Sequence, residues 1–348
     1  MYKNKTLRYG MFGMLYFSQG IVFSYFITLN ALYFLSRGLT MTNVGIFGLI
    51  VYIPFVLKIF LGMLSDRVNL FGAGHRKPYI LIGLIVQSLA LAVAPFIGPG
   101  KDFWLFAIMA FTVNLGMALY DVCTDGLALD ITPPREEGKI QGCMIAGRAL
   151  GVVVTASAFG LLAESVSWSA VFWLMAVVTL VPLPLVLGIK EEARPAERTF
   201  QWRAFGSFKQ VNVIFLALMG FVLFHAAAGA NHMINPFLKK TFEISLARAG
   251  LYTTVWGLGS VFGGIFGGRL YGRIGMYTSS LSVILAGFAG ITLLSLIPDQ
   301  IIAWLLIFLF GLVFGMQKSV YLALAMHFTD TRIAASMFSI FMVFLNVA

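Results

Sequence analysis

LKIFLGMLSDRVNLFGAGHRKPYILIG, residues 57–83, joins two apolar runs through one short loop. The loop places a carboxylate, Asp66, beside Arg67 at the end of one run, and Arg76 and Lys77 at the start of the next. Apolar residues fill the flanks for about 20 positions on each side, the length a helix needs to cross the hydrocarbon of a bilayer. The rest of the chain repeats this pattern. Hydrophobic residues make up 59% of its 348 residues, charged residues 11%, and the mean hydropathy is +0.91. A soluble domain carries roughly 25% charged residues to face water, so most of this chain's outside must face lipid. The two cysteines, Cys123 and Cys143, sit in apolar stretches and outline no disulfide framework. The net charge of +10 comes from basic residues scattered singly between apolar runs, which form no continuous face for nucleic acid.

Apolar runs fall at 9–35, 43–65, 78–98, 103–130, 140–163 and 168–189, and again at 211–237, 248–270, 276–297, 300–328 and 333–348. The last breaks off at Ala348 without a polar tail, so ten complete spans and most of an eleventh of twelve are expected, in either a truncated or a natural short form. The first run is too long for a cleaved signal peptide and lacks a small-residue cleavage site. With the N-terminus on the cytoplasmic side, sixteen Lys and Arg fall in inside loops and five in outside loops, with Lys58, Arg148 and Lys318 inside spans. That asymmetry orients the chain N-terminus in. KEEARPAERTFQWRAFGSFK, 190–209, is the only extended charged stretch. It divides the chain into a six-helix bundle over 1–189, a cytoplasmic linker over 190–210 and a second, incomplete bundle of about five helices over 211–348.

The halves carry related text. Gly62-Met63-Leu64-Ser65-Asp66-Arg67 after the second run answers to Gly268-Arg269-Leu270-Tyr271-Gly272-Arg273 after the eighth, 206 residues on. Gly116-Met117 in the fourth answers to Gly315-Met316 in the tenth, 199 residues on. Repeats of this kind build many secondary transporters.

Gly62, Leu64, Asp66, Arg67, Arg76 and Lys77, at this spacing between spans two and three, resemble the signature loop of the major facilitator superfamily. Within it, the 57–83 stretch and Gly147-Arg148-Ala149-Leu150-Gly151 look like the folate–biopterin transporter family. Tyr120-Asp121-Val122-Cys123-Thr124-Asp125-Gly126 is similar to that family and to the muropeptide permeases, with the bacteriochlorophyll delivery family more distant. The resemblance implies an all-α two-bundle membrane fold, a central cavity lined by spans 1, 4, 7 and 10, and alternating access by rocking. It also implies that Asp66, with Gly62, Arg67, Arg76 and Lys77 around it, forms a latch meeting the positive end of a neighbouring helix, with span eleven the expected one. The second copy has Gly272 where the acid would be, which breaks the symmetry of such a gate.

Charges within spans cost at least about 2.5–3.5 kcal/mol and are expected to face a cavity or a partner. Asp121 lies about nine residues, roughly 14 Å, from the inner end of span four, and Arg148 about 12 Å into span five, so the two are level and able to pair. Asp125 shares a helix face with Asp121. Two carboxylates so close in low dielectric should not both ionise freely, which suits proton coupling; fixing of helix packing is the plain alternative. Lys318 on span ten, beside Gln317, needs an anion: Asp121, Asp125 or the solute. Lys58 is able to reach the interface on its long stem. His225 on span seven, Gln19 on span one and Asn114 on span four complete the candidate substrate and coupling set.

No phosphate-binding GxxxxGK[ST], no Ser-His-Asp set and no metal-ligand spacing occurs in the sequence, so neither ATP drive, enzyme chemistry nor a cofactor is expected. The expected function is secondary transport of an organic, anionic or amphiphilic solute, coupled to protons, by a monomer in the cytoplasmic (inner) membrane. The alternative is a non-transporting assembly factor or pigment-delivery protein.

Overall fold

The computed structural model describes residues 4–191, 194–244 and 246–346. Eleven helical segments follow in chain order: α1 Lys5–Ser36, α2 Met41–Arg67, α3 Lys77–Ile97, α4 Phe103–Ile131, α5 Pro134–Ser165, α6 Trp168–Leu187, α7 Val211–Phe242, α8 Leu246–Ile274, α9 Met276–Ser295, α10 Gln300–Phe328 and α11 Ala334–Asn346. The first seven, α9 and α10 are each long and apolar enough to cross a membrane. The eleven sit where the apolar runs of the sequence place them.

Helix starts are fixed by short polar side chains. Asp102 accepts from the Leu105 amide at the head of α4, and Asp299 accepts from the Ile301 and Ile302 amides at the head of α10. The caps satisfy one first-turn donor of α4 and two of α10, and they fall on repeat-related helices. Two helices carry a π turn in mid-course, Tyr25–Leu29 in α1 and Thr155–Phe159 in α5. The two meet near these turns, where the Thr155 hydroxyl donates to the Ile21 carbonyl at 3.2 Å.

Apolar side chains gain little from leaving lipid for one another, so close backbone approach at small residues holds such helices together. A Cβ placed on Gly20 would lie 2.2 Å from the Arg148 carbonyl oxygen, and one on Gly147 would lie 2.2 Å from that of Gly13. This seam presses α1 against α5. On α8 the glycines form two faces, not one. Gly263 and Gly267 meet Leu312 and Met316 of α10, while Gly264 and Gly268 meet Gly142 and Gly138 of α5. The first face builds the second half; the second joins the halves. Gly263→Val is therefore expected to cost at least about 1–3 kcal/mol by overpacking, because its Cβ would sit 1.9 Å from the Leu312 carbonyl oxygen. Gly272→Val, with open space around it, should stay within about 0.5 kcal/mol of the parent. Thermal unfolding of the two purified variants reads the difference.

The end of the bundle bearing the 68–76 turn is here called the loop end. Among the described residues, every hydrogen bond or ion pair between the helices before 190 and those after 210 lies there. Gln141 donates to the Met326 sulfur at 3.0 Å, His327 lies 3.7 Å from Glu137, and Asp66 reaches α11. Gly62 packs directly on the Ala335–Ser336 backbone.

Candidate functional site

The loop-end contact is organised by Asp66. Its carboxylate accepts from the Ala335 amide at 3.1 Å, the Ser336 amide at 2.9 Å and the Ser336 hydroxyl at 2.6 Å, which are the orphan donors at the start of α11. The fully buried Arg76 guanidinium steadies it from behind. It donates 2.7 Å to Asp66, 2.5 Å to the Ser65 hydroxyl and 3.0 Å to Asp130. Gly126 of α4 leaves room for that guanidinium, since a Cβ there would fall 2.5 Å from its central carbon.

Two members of the expected latch, Arg67 and Lys77, make no bond to Asp66 among the described residues. Lys77 turns to the end of α6, donating to the Leu187 and Ile189 carbonyls at 2.8 and 2.9 Å. Arg67 is exposed and makes no ion pair among the described residues. The 190–209 linker adds partners that its composition did not announce. Glu191 accepts from the amides of His75, Arg76 and Lys77, capping α3. Gly74, at φ 125°, permits this approach, because a Cβ there would strike the Glu191 carboxylate. Arg194 donates to the Asp66 carbonyl and the Asp130 carboxylate at 3.1 Å each. Burial, with the Arg194 charge, pushes the His75 imidazole below its usual pKa. At the other end of the linker, Ser207 donates to Asp330, whose Arg332 hydrogen bonds hold it below the usual carboxylate range. At Gly272, where the acid of the repeat would stand, a Cβ would meet open space. Its neighbour Tyr271 packs against Gly138 at the head of α5 instead.

Mid-membrane, the charges pair differently from the expectation. Asp121 forms its ion pair with Lys58 of α2, not with Arg148. Lys58 is 2% exposed and does not reach for the interface. The two lie level because Lys58 is nine residues from the end of α2 at Arg67, much as Asp121 is from the end of α4. Asp125, one turn on from Asp121, accepts a hydrogen bond from the Tyr16 hydroxyl of α1 and has no cation within ion-pair reach among the described residues.

Arg148 is buried and lies over the Phe23 ring, its guanidinium 4.5 Å from the ring centre. Lys318 is half-buried over Phe314 at the same distance. Neither has a carboxylate within ion-pair distance among the described residues, and the two interact electrostatically across the halves. Gln19 is buried between Tyr16 and Phe23 along one face of α1, its amide unpartnered. Asn114, also on the Asp121 face of α4, donates to the Ala110 carbonyl and leaves its own oxygen free.

Two expected members do not join this group. Gln317 donates to the Val283 carbonyl of α9 at 3.1 Å. His225 bonds the Phe221 carbonyl of its own helix at 2.7 Å. The sequence reading missed Tyr16, Phe23 and Phe314 as members, although each lies three or four residues from a polar group already singled out.

A profile of the Major Facilitator Superfamily matches residues 10–348. The chain belongs to the major facilitator superfamily. It is 25% identical over 317 residues to the anhydromuropeptide permease of Escherichia coli K12, a match covering 87% of this chain and 64% of that protein. The chain thus spans just under two thirds of that relative's length. Over 148 residues, 41% of this chain and 29% of the relative, it is 32% identical to the folate-biopterin transporter of Synechocystis. Among solved structures, the transporter FucP in its outward conformation superposes with a TM-score of 0.75 at 13% identity, covering 97% of this chain and 89% of that one. The chain is a multi-pass membrane protein with the superfamily fold, and membership sets it apart from enzymes.

Proposed function

We propose that this chain is a secondary transporter that moves an organic anion across the inner membrane by alternating access, coupled to protons, with its N-terminus in the cytoplasm. The observation that carries the reading is the pair Arg148 and Lys318, buried and half-buried cations on opposite halves, each laid on a ring and neither neutralised. Two such charges in low dielectric repel one another and favour an anion between them. The names of the relatives, permeases and transporters for muropeptides, sialic acid and folates, agree with a solute of this charge.

Proton coupling rests on the unequal partners of the two carboxylates. Asp121 is paired with Lys58. Among the described residues Asp125 bonds the Tyr16 hydroxyl and no cation, and in this reading it is the group that takes up and releases a proton. The loop end, held by Asp66 and the α5–α8 glycines, is the cytoplasmic gate in its closed state. Alternating access then needs that gate to part.

Proteoliposomes challenged with labelled N-acetylmuramyl peptide, sialic acid and folate test this. At least one should accumulate when the outside is acidified, and Arg148→Gln or Lys318→Gln should lower its uptake by about tenfold or more. Asp125→Asn should keep solute exchange but lose accumulation driven by the gradient. Uptake that ignores the gradient, or that both cation variants leave unchanged, overturns the reading.

A further inference from the structure

A cavity of about 190 Å³ opens between α1 and α2, on the side of the charge group away from the loop end. Its floor is Phe23 and Phe55, whose rings meet edge to face at 5.8 Å. These are the rings beneath Arg148 and Lys58 respectively, so the cavity adjoins the charged centre across a single layer of rings. Phe47 and Tyr52 extend its apolar wall. Two amides interrupt that wall, Asn30 of α1 and Asn114 of α4, exposed by 3% and 1%.

The amide oxygens decide the chemistry. Asn114 spends an N–H on the Ala110 carbonyl one turn back, which leaves its oxygen as the group without a partner. That oxygen and the Asn30 oxygen are both buried and accept nothing. A buried acceptor without a donor costs free energy that a ligand donor recovers. Aromatic walls with two idle acceptors suit a ring that carries an O–H or N–H group, and they do not suit an alkyl chain.

We infer that this cavity is a second subsite of the transport site, which holds a donor-bearing ring of the solute while Arg148 holds its anionic end. The inference rests on the anion reading above and narrows it: the solute is an amphiphilic anion with a hydroxylated or aminated ring, not a simple carboxylate. Selectivity comes from the acceptors, because an isostere lacking the donor leaves both oxygens unpaired.

Two probes of equal shape separate the terms: 3-(4-hydroxyphenyl)propionate and 3-(4-methylphenyl)propionate, with binding to the protein in nanodiscs followed by saturation-transfer NMR. The hydroxyl compound should bind about tenfold more tightly to the parent. Asn114→Leu and Asn30→Leu, each fitting an apolar wall, should abolish that preference. In Arg148→Gln both compounds should weaken together with the preference intact. Equal binding of the two probes to the parent, or a preference surviving in both asparagine variants, overturns the subsite. A preference that persists in Arg148→Gln with binding otherwise unchanged supports the subsite and overturns the anion reading alone.

Discussion

Asp121→Asn is expected to destabilise the folded chain by about 3–5 kcal/mol, because it strands the Lys58 ammonium in a site 2% exposed. Lys58→Met should do comparable damage from the other side, leaving the Asp121 carboxylate, 1% exposed, without its cation. The double variant should recover most of the loss, since a neutral amide and a thioether leave no charge to be solvated. Arg148→Gln should cost far less, as Arg148 bears on a ring and not on a carboxylate. Unfolding in detergent with increasing urea, together with the monodisperse fraction on size exclusion, measures all four. If Arg148→Gln proves as costly as Asp121→Asn while Lys58→Met is mild, then Arg148 is the partner of Asp121 and the pairing described here is wrong.

The second large effect lies at the loop end. Asp66→Ala removes the acceptor of two α11 amides and the Ser336 hydroxyl. At roughly 1 kcal/mol for each bond lost, the closed end weakens by about 2–3 kcal/mol, a shift of roughly 30- to 150-fold toward the open form. Arg76 keeps Asp130 and the Ser65 hydroxyl, so the variant should still fold. Spin labels at Phe71→Cys and Tyr277→Cys, both on exposed side chains, report the separation by pulsed EPR once Cys123 and Cys143 are replaced. A longer distance should appear in Asp66→Ala and, less populated, in Ser336→Ala. An unchanged distance distribution in Asp66→Ala would show that the glycine seam between α5 and α8 holds this end by itself.

The fold was legible because length and hydropathy suffice to find spanning helices, and all eleven apolar runs became helices. The pairing of charges was not. Depth along a helix follows from counting residues, and by depth Lys58, Asp121 and Arg148 are all level. Direction around the helix axis depends on how neighbours pack, and the Gly13–Gly147 and Gly20–Arg148 contacts that turn α5 against α1 link residues over a hundred positions apart. The same limit explains Gln317, which has the right depth beside Lys318 but, one residue earlier, points to α9. Glu191 escaped notice for another reason. A carboxylate in a charged, polar stretch looks solvated until the amides of His75, Arg76 and Lys77 are seen to converge on it.

The linker has a mechanical consequence. Arg198 donates to the Asp130 carbonyl on one side, and only three residues later Gln201 accepts from Arg332 on the other. Three residues drawn taut reach at most about 10 Å. That short leash ties the two anchors together: Asp130 and Arg332 part no further than these three residues and the three side chains that hold them extend, and beyond that reach one of the two arginines must unhook.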